Sequence, residues 1–375
     1  MKIFISTGEI SGDIHGAALA DQLHHQFPGI ELTGLGSVKM KAAGVKILTD
    51  ISSRSTIGFV EPLVHLPFFL LLWTRIKKYF KNNKPDLMIM IDAQGINLPL
   101  ARLAKKAGIP RVYYIPPQEW IWGTKKGARE VVDLSDLILA VFQKEKQFYK
   151  DHGGQVIFVG HPIIDLVKPT IDKESFFAEN NFNPDKKLIG LFPGSRKQEI
   201  TNLLPSMIKT VINLPDYQYA ISVASEKLKP LIKTILDEHN VYIRMVENSH
   251  YDLLNNSDIV LTSSGTTTLE ATCLHKPMVV IYRLSRLTWF IAKYILKVKV
   301  KFIALPNILA DARIVPEFIL NHQGEEAEVT ETIRTLLETP LRISILADNL
   351  ETIAKKLGEP GAAKRAAEQI LNIMK

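Results

Sequence analysis

The feature that most constrains the fold is an alternation, repeated along the chain, of short apolar runs with helical stretches. This order predicts parallel sheets with helices on both faces. In the first half we expect strands at 2–7, 31–35, 86–92, 111–116, 137–142 and 156–160. In the second half we expect strands at 188–193, 219–224, 243–246, 259–263 and 278–282.

A break in this pattern divides the chain. Residues 161–187 contain Pro162, Pro169, Pro184 and many charges, and are typical of a linker. We therefore predict an α/β protein with two Rossmann-like domains, 1–165 and 166–345, with ligands in a cleft between them. Residues 346–375 include an amphipathic helix that needs a partner surface.

Composition narrows the classes of protein. Hydrophobic residues make up 46% and charged residues 23% of the 375 residues, which argues against intrinsic disorder. Cys273 is the single cysteine, so an internal disulfide is excluded, and no secretory signal pattern is present. We therefore expect a cytoplasmic protein. Lys and Arg exceed Asp and Glu by 46 to 39, which favours an acidic partner, and the sequence has no nucleic-acid-binding signature.

The first loop with potential chemistry runs from Gly8 to Gly16, between a strand and a helix. Its glycines allow close approach of a ligand to the backbone. Its polar side chains are Glu9, Ser11, Asp13 and His15. Carboxylates repel phosphate, so these side chains suit the hydroxyl groups of a sugar. An ordinary strand-to-helix turn is the alternative.

The third long strand ends at Asp92, with Asn97 shortly after it. Cleft residues belong at the carboxyl ends of parallel strands. Asp92 is a candidate general base that takes a proton from an attacking hydroxyl. The pattern equally fits an aspartate that caps the following helix.

The second half opens with a similar turn, Gly194-Ser195-Arg196. Backbone N–H groups and the fixed charge of Arg196 suit a diphosphate. The alternative is a solvated basic turn.

A further candidate anion site follows the strand at 259–263. Ser264, Gly265 and Thr266 stand at a helix start, where backbone N–H groups favour anions. Glu270, about one turn further, is a candidate acceptor for ribose hydroxyls. N-capping alone would also explain the threonines.

Residues 62–81 have an unusual composition for an α/β protein. The apolar run is too short to span a bilayer, which needs about 20 residues. An aromatic face with flanking cations is typical of an interfacial helix, and a core helix or a dimer contact is the alternative. The predicted membrane-facing residues are Phe68, Phe69, Leu72, Trp73, Arg75, Lys77 and Lys78. Trp120 lies in a separate aromatic cluster that we expect either near the acceptor or at a loop base.

Taken in order, several of these segments resemble the lipid-A-disaccharide synthase family of inverting glycosyltransferases. The matching segments are 8–13, 58–61, 193–196 and motifs between 264 and 316, including 305–309. The resemblance covers nearly the whole chain. It implies a GT-B fold whose C-terminal helix packs back on the N-terminal domain.

The same resemblance implies the reaction and its partners. The donor would be UDP-2,3-diacylglucosamine and the acceptor 2,3-diacylglucosamine 1-phosphate, with contact at the inner membrane and a homodimer as an open possibility. No metal or other cofactor is expected, because Arg196 and the helix start at 264–266 would neutralise the diphosphate. Asn307 would join the donor-binding residues.

The chain departs from the family pattern at two places. Gly95 stands where the family has a second aspartate, which leaves Asp92 as the first candidate for the base, with Glu9 and His15 as reserves. Residues 116–120 also differ, which suggests a different acyl preference. The alternatives are a lipid-carrier glycosyltransferase, a UDP-sugar epimerase, or a non-catalytic lipid- or nucleotide-binding protein.

Overall fold

The chain folds into two compact units. The computed structural model describes residues 1–50, 66–122, 125–283, 301–320 and 324–374; the side chains of 10, 66–69 and 122 are outside this description. The first unit comprises Met1–Pro162 and Leu357–Lys375, and the second comprises Ile163–Lys356. The chain therefore returns to the first unit at Leu357, and not at 346 as the sequence pattern suggested.

The first unit contains a seven-stranded parallel sheet of order β3-β2-β1-β4-β5-β6-β7. Apolar side chains are buried on both faces of this sheet, as the continuous apolar strands predicted. The strands are β1 (Lys2–Ser6), β2 (Glu31–Gly36), β3 (Lys46–Asp50), β4 (Leu87–Ile91), β5 (Arg111–Tyr114), β6 (Leu137–Ala140) and β7 (Val156–Phe158).

Helices connect these strands. They are α1 (Ile10–Gln26), α2 (Val38–Ala42), α3 (Leu66–Asn83), α4 (Gln94–Lys106), α5 (Glu119–Trp122), α6 (Lys125–Asp133), α7 (Gln143–Asp151) and the C-terminal Ala362–Ile373. The C-terminal helix packs on α1. Arg365 fixes this return, because its guanidinium donates to the carbonyl oxygens of Val159, Glu359 and Pro360.

The second unit contains a six-stranded parallel sheet of order β10-β9-β8-β11-β12-β13. The strands are β8 (Leu188–Phe192), β9 (Gln218–Val223), β10 (Arg244–Glu247), β11 (Ile259–Ser263), β12 (Met278–Tyr282) and β13 (Glu317–Ile319). The helices are α8 (Ile163–Leu166), α9 (Lys173–Asn180), α10 (Lys197–Asn213), α11 (Lys229–Glu238), α12 (His250–Asn256), α13 (Thr266–Cys273), α14 (Leu305–Ala310), α15 (Glu325–Glu338) and α16 (Pro340–Lys355), so the C-terminal helix is α17.

Helix α3 shows that part of the predicted membrane face is core. Leu72 is 3% exposed and packs in the core of the first unit, and Trp73 packs partly against that core. The prediction of Leu72 as a membrane residue is therefore wrong, because the aromatic face of this helix covers the sheet. Leu70 and Leu71 are 51% and 71% exposed instead.

The other predicted membrane residues divide into two groups. Arg75, Lys77 and Lys78 are exposed on α3, whereas the side chains of Phe68 and Phe69 lie outside the described residues, as does the segment 58–61. Within the described part of the chain, every helix is too short or too polar to cross a bilayer.

Candidate active site

The first candidate site lies where the strand order of the first sheet reverses, between β1 and β4. Ligands of open α/β sheets bind at such switch points, beyond the carboxyl ends of the strands. The loops after β1 and β4 touch there, because a Cβ atom placed on Gly8 would lie 2.4 Å from Cβ of Ala93. Gly8 is therefore required by close packing of the two loops, and that packing brings Glu9 and Asp92 to the same edge.

Asp92 occupies a strained turn. Its φ is +50° and that of Ala93 is +43°, in the left-handed region that non-glycine residues rarely adopt. The amide nitrogen Nδ2 of Asn97 donates to the carbonyl oxygens of Ile91 and Asp92 at 3.0 and 2.7 Å, and the hydroxyl of Tyr113 donates to the carbonyl oxygen of Asp92 at 2.8 Å. Backbone strain held by hydrogen bonds from buried side chains is typical of functional sites.

Two further acidic side chains lie in this region. Glu145 on α7 is fully buried, and burial raises the pKa of its carboxyl to about 8, with Asp92 adding to the rise. The backbone N–H groups of Val141 and Phe142 oppose that shift. Glu119 accepts a hydrogen bond from the amide of Gln94 at 2.8 Å. Asp92 therefore shares its surroundings with a buried carboxyl group whose pKa is raised.

Two residues predicted to bind the acceptor have structural roles instead. Asp13 is 3% exposed, and its carboxylate accepts the backbone N–H groups of Ser37, Lys39 and Met40 at 2.5, 2.9 and 3.3 Å. It caps the N-terminus of α2, where backbone N–H groups lack intrahelical partners. Asn97 is fully buried and supports the Asp92 turn. Neither side chain is available to a substrate.

The other candidates of the first unit lie around the same edge. Glu9 precedes α1 as its N-cap, and Ser11 and His15 are half-buried on that helix. Burial lowers the pKa of His15 to about 4, which makes it a poor proton acceptor at neutral pH. The half-buried Trp120 packs its ring 5.6 Å from that of Phe142, which supports a role at the base of a loop.

The second candidate site lies at the switch point of the other sheet, between β8 and β11. Gly194 has a φ of +114°, and a Cβ atom there would lie 2.2 Å from the Glu199 carboxylate. That carboxylate accepts the backbone N–H groups of Ser195 and Arg196 at 3.0 and 3.3 Å. The N–H group of Ser195, predicted to bind phosphate, is thus already engaged by Glu199. The exposed Arg196 guanidinium lies 3.7 Å from Glu199.

The start of α13 is the more open part of this site. Gly265 and Thr266 are exposed, and a Cβ atom on Gly265 would meet nothing within 4 Å. The Ser264 hydroxyl donates to the carbonyl oxygen of Ile303 at 2.7 Å, so it supports the loop. The Thr268 N–H group in the first turn of α13 donates to the Gly265 carbonyl at 3.0 Å, and the N–H groups before it at this helix start favour an anion.

Asn307, predicted to bind the donor, is fully buried on α14. Its Nδ2 donates to the Val315 carbonyl and to the Glu317 carboxylate at 2.9 and 3.0 Å, and its Oδ1 accepts from Ile314 and Val315. The amide is saturated, so the donor-binding role predicted for it is wrong. It ties α14 to the chain that leads into β13.

Glu270 on α13 has a partner that the sequence did not reveal. The Nε2 atom of His250 lies 2.8 Å from its Oε2, and Nδ1 of the same ring lies 3.0 Å from the Ser222 hydroxyl. These three residues are far apart in sequence, so no spacing could have found them. Glu199, by contrast, stands three residues after the helix N-cap at Arg196, which is the spacing of a capping box.

The family comparison matches the chain almost from end to end. The model of the family described as "Lipid-A-disaccharide synthetase" matches residues 3–373. The lipid-A-disaccharide synthase of Gloeothece citriformis is 35% identical, with 99% of this chain and 100% of that protein covered. That of Geobacter sulfurreducens is 34% identical, with 100% and 97% covered.

Solved structures agree on the fold. The UDP-GlcNAc 2-epimerase of Neisseria meningitidis, bound to UDP-GlcNAc, superposes with a TM-score of 0.69 at 17% identity, covering 99% of this chain and 100% of that chain. MurG of Acinetobacter baumannii gives 0.57 at 15% identity, with 99% of both chains covered. At these identities the likeness concerns the fold, which is GT-B.

Proposed function

Because this chain belongs to the lipid-A-disaccharide synthase family and is a hexosyltransferase that forms the lipid A disaccharide, we propose a division of labour between its units. The second unit binds the UDP-2,3-diacylglucosamine donor, and the first binds 2,3-diacylglucosamine 1-phosphate. The charges support this assignment. Exposed cations and N–H groups suit a diphosphate, and carboxylates suit sugar hydroxyls.

The reaction is a single displacement with inversion. The 6-hydroxyl oxygen of the acceptor attacks the anomeric carbon of the donor while the bond from that carbon to the diphosphate oxygen breaks. The hydroxyl proton passes to the Asp92 carboxylate, and UDP leaves with the bonding electron pair. The observation that carries this assignment is the strained Asp92 turn, held by Asn97 and Tyr113 at the switch point.

The leaving UDP needs positive charge near its phosphates. We assign this to the start of α13 at Gly265 and Thr266, with the exposed guanidinium of Arg196 as an added cation. Ser195 and Ser264 shape the two loops, and Glu270 receives the ribose. No divalent cation is needed in this scheme, because backbone N–H groups and a guanidinium meet the charge.

One assay tests the whole proposal. Purified protein with donor and acceptor in EDTA should give a disaccharide of the expected mass, one UDP per product, and the opposite anomeric configuration. Retained configuration would contradict a single displacement, and a strict need for added Mg²⁺ would contradict cation independence. Donor alone should be recovered with its C2 configuration unchanged, which separates this reaction from epimerisation.

A membrane contact is the last part of the proposal. Both substrates carry acyl chains, and α3 exposes Leu70 and Leu71 next to the exposed cations Arg75, Lys77 and Lys78. Exposed apolar side chains with adjacent cations bind anionic bilayer surfaces. We therefore assign the membrane contact to Leu70 and Leu71, in place of the buried Leu72.

Replacing both Leu70 and Leu71 with Ser should lower binding to anionic phospholipid vesicles by at least about tenfold, because each leucine contributes roughly 1.5 to 3 kcal/mol when fully buried and only part of that at a bilayer surface. Vesicle sedimentation measures this. Ile212→Ser, a similar change at a 56% exposed position on α10, is the control. Unchanged vesicle binding together with loss of a dimer would assign these leucines to a contact between two copies.

A further inference from the structure

The histidine that contacts Glu270 links several elements at the carboxyl edge of the second sheet. His250 is the first residue of α12, and its ring lies between Ser222 of β9 and Glu270 of α13. The ring also packs edge-to-face on Phe192, the last residue of β8, at a centroid distance of 5.1 Å. These contacts fix the ring beside the loop that begins at Pro193.

The two partners of the His250 ring define which atom donates in each of its two hydrogen bonds. An ionised carboxylate only accepts, so Nε2 of His250 must carry the hydrogen that reaches Glu270. In the neutral ring Nδ1 is then the acceptor, and the Ser222 hydroxyl donates to it. Glu270 therefore selects the tautomer, and the Ser222 hydroxyl, which can donate or accept, holds the ring in its orientation toward that carboxylate.

The order serine, histidine, carboxylate also occurs in hydrolases, where the serine is the nucleophile. Ser222 is a strand residue that is 5% exposed, whereas about a third of the His250 side chain is exposed. A substrate cannot reach the buried hydroxyl. Of these three hydrogen-bonded residues, His250 and Glu270 are the ones that a ligand can approach. The arrangement therefore orients the Glu270 carboxylate.

The position of Glu270 indicates what the carboxylate meets. It lies four residues after Thr266 on the same helix, roughly 6 Å along the axis from the anion-binding end. A nucleotide with its diphosphate at the helix start places its ribose, and not its phosphates, at about this depth. A carboxylate accepts two adjacent hydroxyl groups well, because it offers about four lone-pair sites.

We propose that His250, fixed by Ser222, is a positioning residue that orients Glu270 to accept the vicinal hydroxyls of the donor's ribose, and so makes the site select ribonucleotides over 2′-deoxyribonucleotides. This inference rests on the donor site proposed above. His250 itself does not touch the reacting atoms.

Binding of UDP and 2′-deoxy-UDP, measured by calorimetry, tests the assignment. The parent protein should prefer UDP. His250→Ala should weaken UDP binding by about tenfold, since a hydrogen bond to a charged group contributes roughly 1.5 to 3 kcal/mol. The affinity for 2′-deoxy-UDP should change much less, so the preference shrinks. His250→Gln retains an N–H donor and should keep most of the preference for UDP.

Kinetics and a matched control separate positioning from structure. In His250→Ala the KM for the donor should rise while kcat stays near that of the parent, because the ribose is remote from the anomeric carbon. His239, whose Nδ1 contacts the Ile235 carbonyl at 2.9 Å on α11 of the same unit, provides the control His239→Ala. That variant should leave both affinities unchanged.

Three outcomes would overturn the inference. Equal losses for UDP and 2′-deoxy-UDP in His250→Ala and His250→Gln would give His250 a merely structural role. A parent protein that binds UDP without preference would remove the ribose contact but leave the donor site standing. A parent that binds neither nucleotide would remove the donor site itself.

Discussion

The loops at the two switch points differ in charge and in how firmly they are held, although each follows a parallel strand at the same place in its sheet. In the first unit Asp92 lies in a left-handed turn held by buried side chains. In the second unit Ser195, Arg196 and Thr266 are exposed.

The proposed mechanism gives a reason for this difference. A general base must keep one orientation toward one proton, which favours rigid support even where it requires backbone strain. A diphosphate bound at the backbone N–H groups of a helix start would need only an exposed cation such as Arg196 to complete its site. In the proposed mechanism the first unit therefore supplies a fixed geometry and the second supplies positive charge.

The largest expected effect comes from the rigid site. Asp92→Asn should lower turnover by about 10² to 10⁴, the usual contribution of a positioned base. The fold should survive, because Asn tolerates the left-handed region. Disaccharide formation at saturating substrate measures the effect.

The matched control for this change is Asp311→Asn. Asp311 also has a positive φ, of +54°, and it lies at the exposed end of α14. It should retain parental turnover. Near-normal turnover in Asp92→Asn would exclude Asp92 as the base.

A smaller loss is expected at the exposed site. Arg196→Ala should lower kcat/KM by about tenfold to a hundredfold, since its charge meets the leaving diphosphate but is partly screened by solvent. Steady-state kinetics with varied donor measure this. Arg334→Ala removes another exposed arginine that pairs with a glutamate three residues away on α15, and should change nothing. Equal effects of the two substitutions would mean that Arg196 is an ordinary surface cation.

The buried carboxyl group beside Asp92 predicts a dependence of stability on pH. The pKa of Glu145 is about 8 in the folded protein and ordinarily 4.5, so the folded state binds more protons between these values. Its contribution to stability is therefore present below about pH 4.5 and is lost as pH rises through 8. Glu145→Gln stays neutral, so the variant should gain stability relative to the parent as pH rises, by a few kcal/mol in order of magnitude at pH 9.

Urea unfolding at pH 5 and pH 9 checks this sign. The control is Glu351→Gln, at a glutamate whose pKa is lowered by Lys355; this variant should not gain stability relative to the parent as pH rises. An unchanged difference between parent and Glu145→Gln across this range would mean that Glu145 is ionised in the folded state.

The smallest effect is expected at Gly95, where the family resemblance implied an aspartate. A Cβ atom there would meet nothing within 4 Å, so Gly95→Asp should fold and gain up to about 1 kcal/mol from the helix N-terminus and reduced chain entropy. A side chain at Gly108 would also meet nothing within 4 Å, but Gly108, near the end of α4, has a φ of +67°, so Gly108→Asp would strain the backbone. It should instead lower Tm. Destabilisation by Gly95→Asp would show that the loop after β4 excludes a second carboxylate.

Much of the fold was predictable. Strands β3 and β13 were missed, because each is a short, half-exposed strand that lacks the continuous apolar run of the inner strands. Edge position alone does not explain this, since the half-exposed edge strands β7 and β10 were predicted. The aromatic face of α3 was visible in the sequence, but periodicity alone cannot distinguish a face that covers a sheet from one that enters a membrane.

The sequence by itself determined the two parallel sheets, the loops after their central strands and the family, because these depend on local apolar runs, glycines and motif order. Only the tertiary structure decided which polar groups remain available. Asp13, Asn97 and Asn307 stand in or near the predicted loops, yet each is buried and bonded to backbone groups. The backbone partners of Asp13 lie at the start of α2, and those of Asn97 and Asn307 lie within eight residues in the same segment. Buried backbone groups must find hydrogen-bond partners in the folded chain, and the residue types along a segment do not record which side chains supply them.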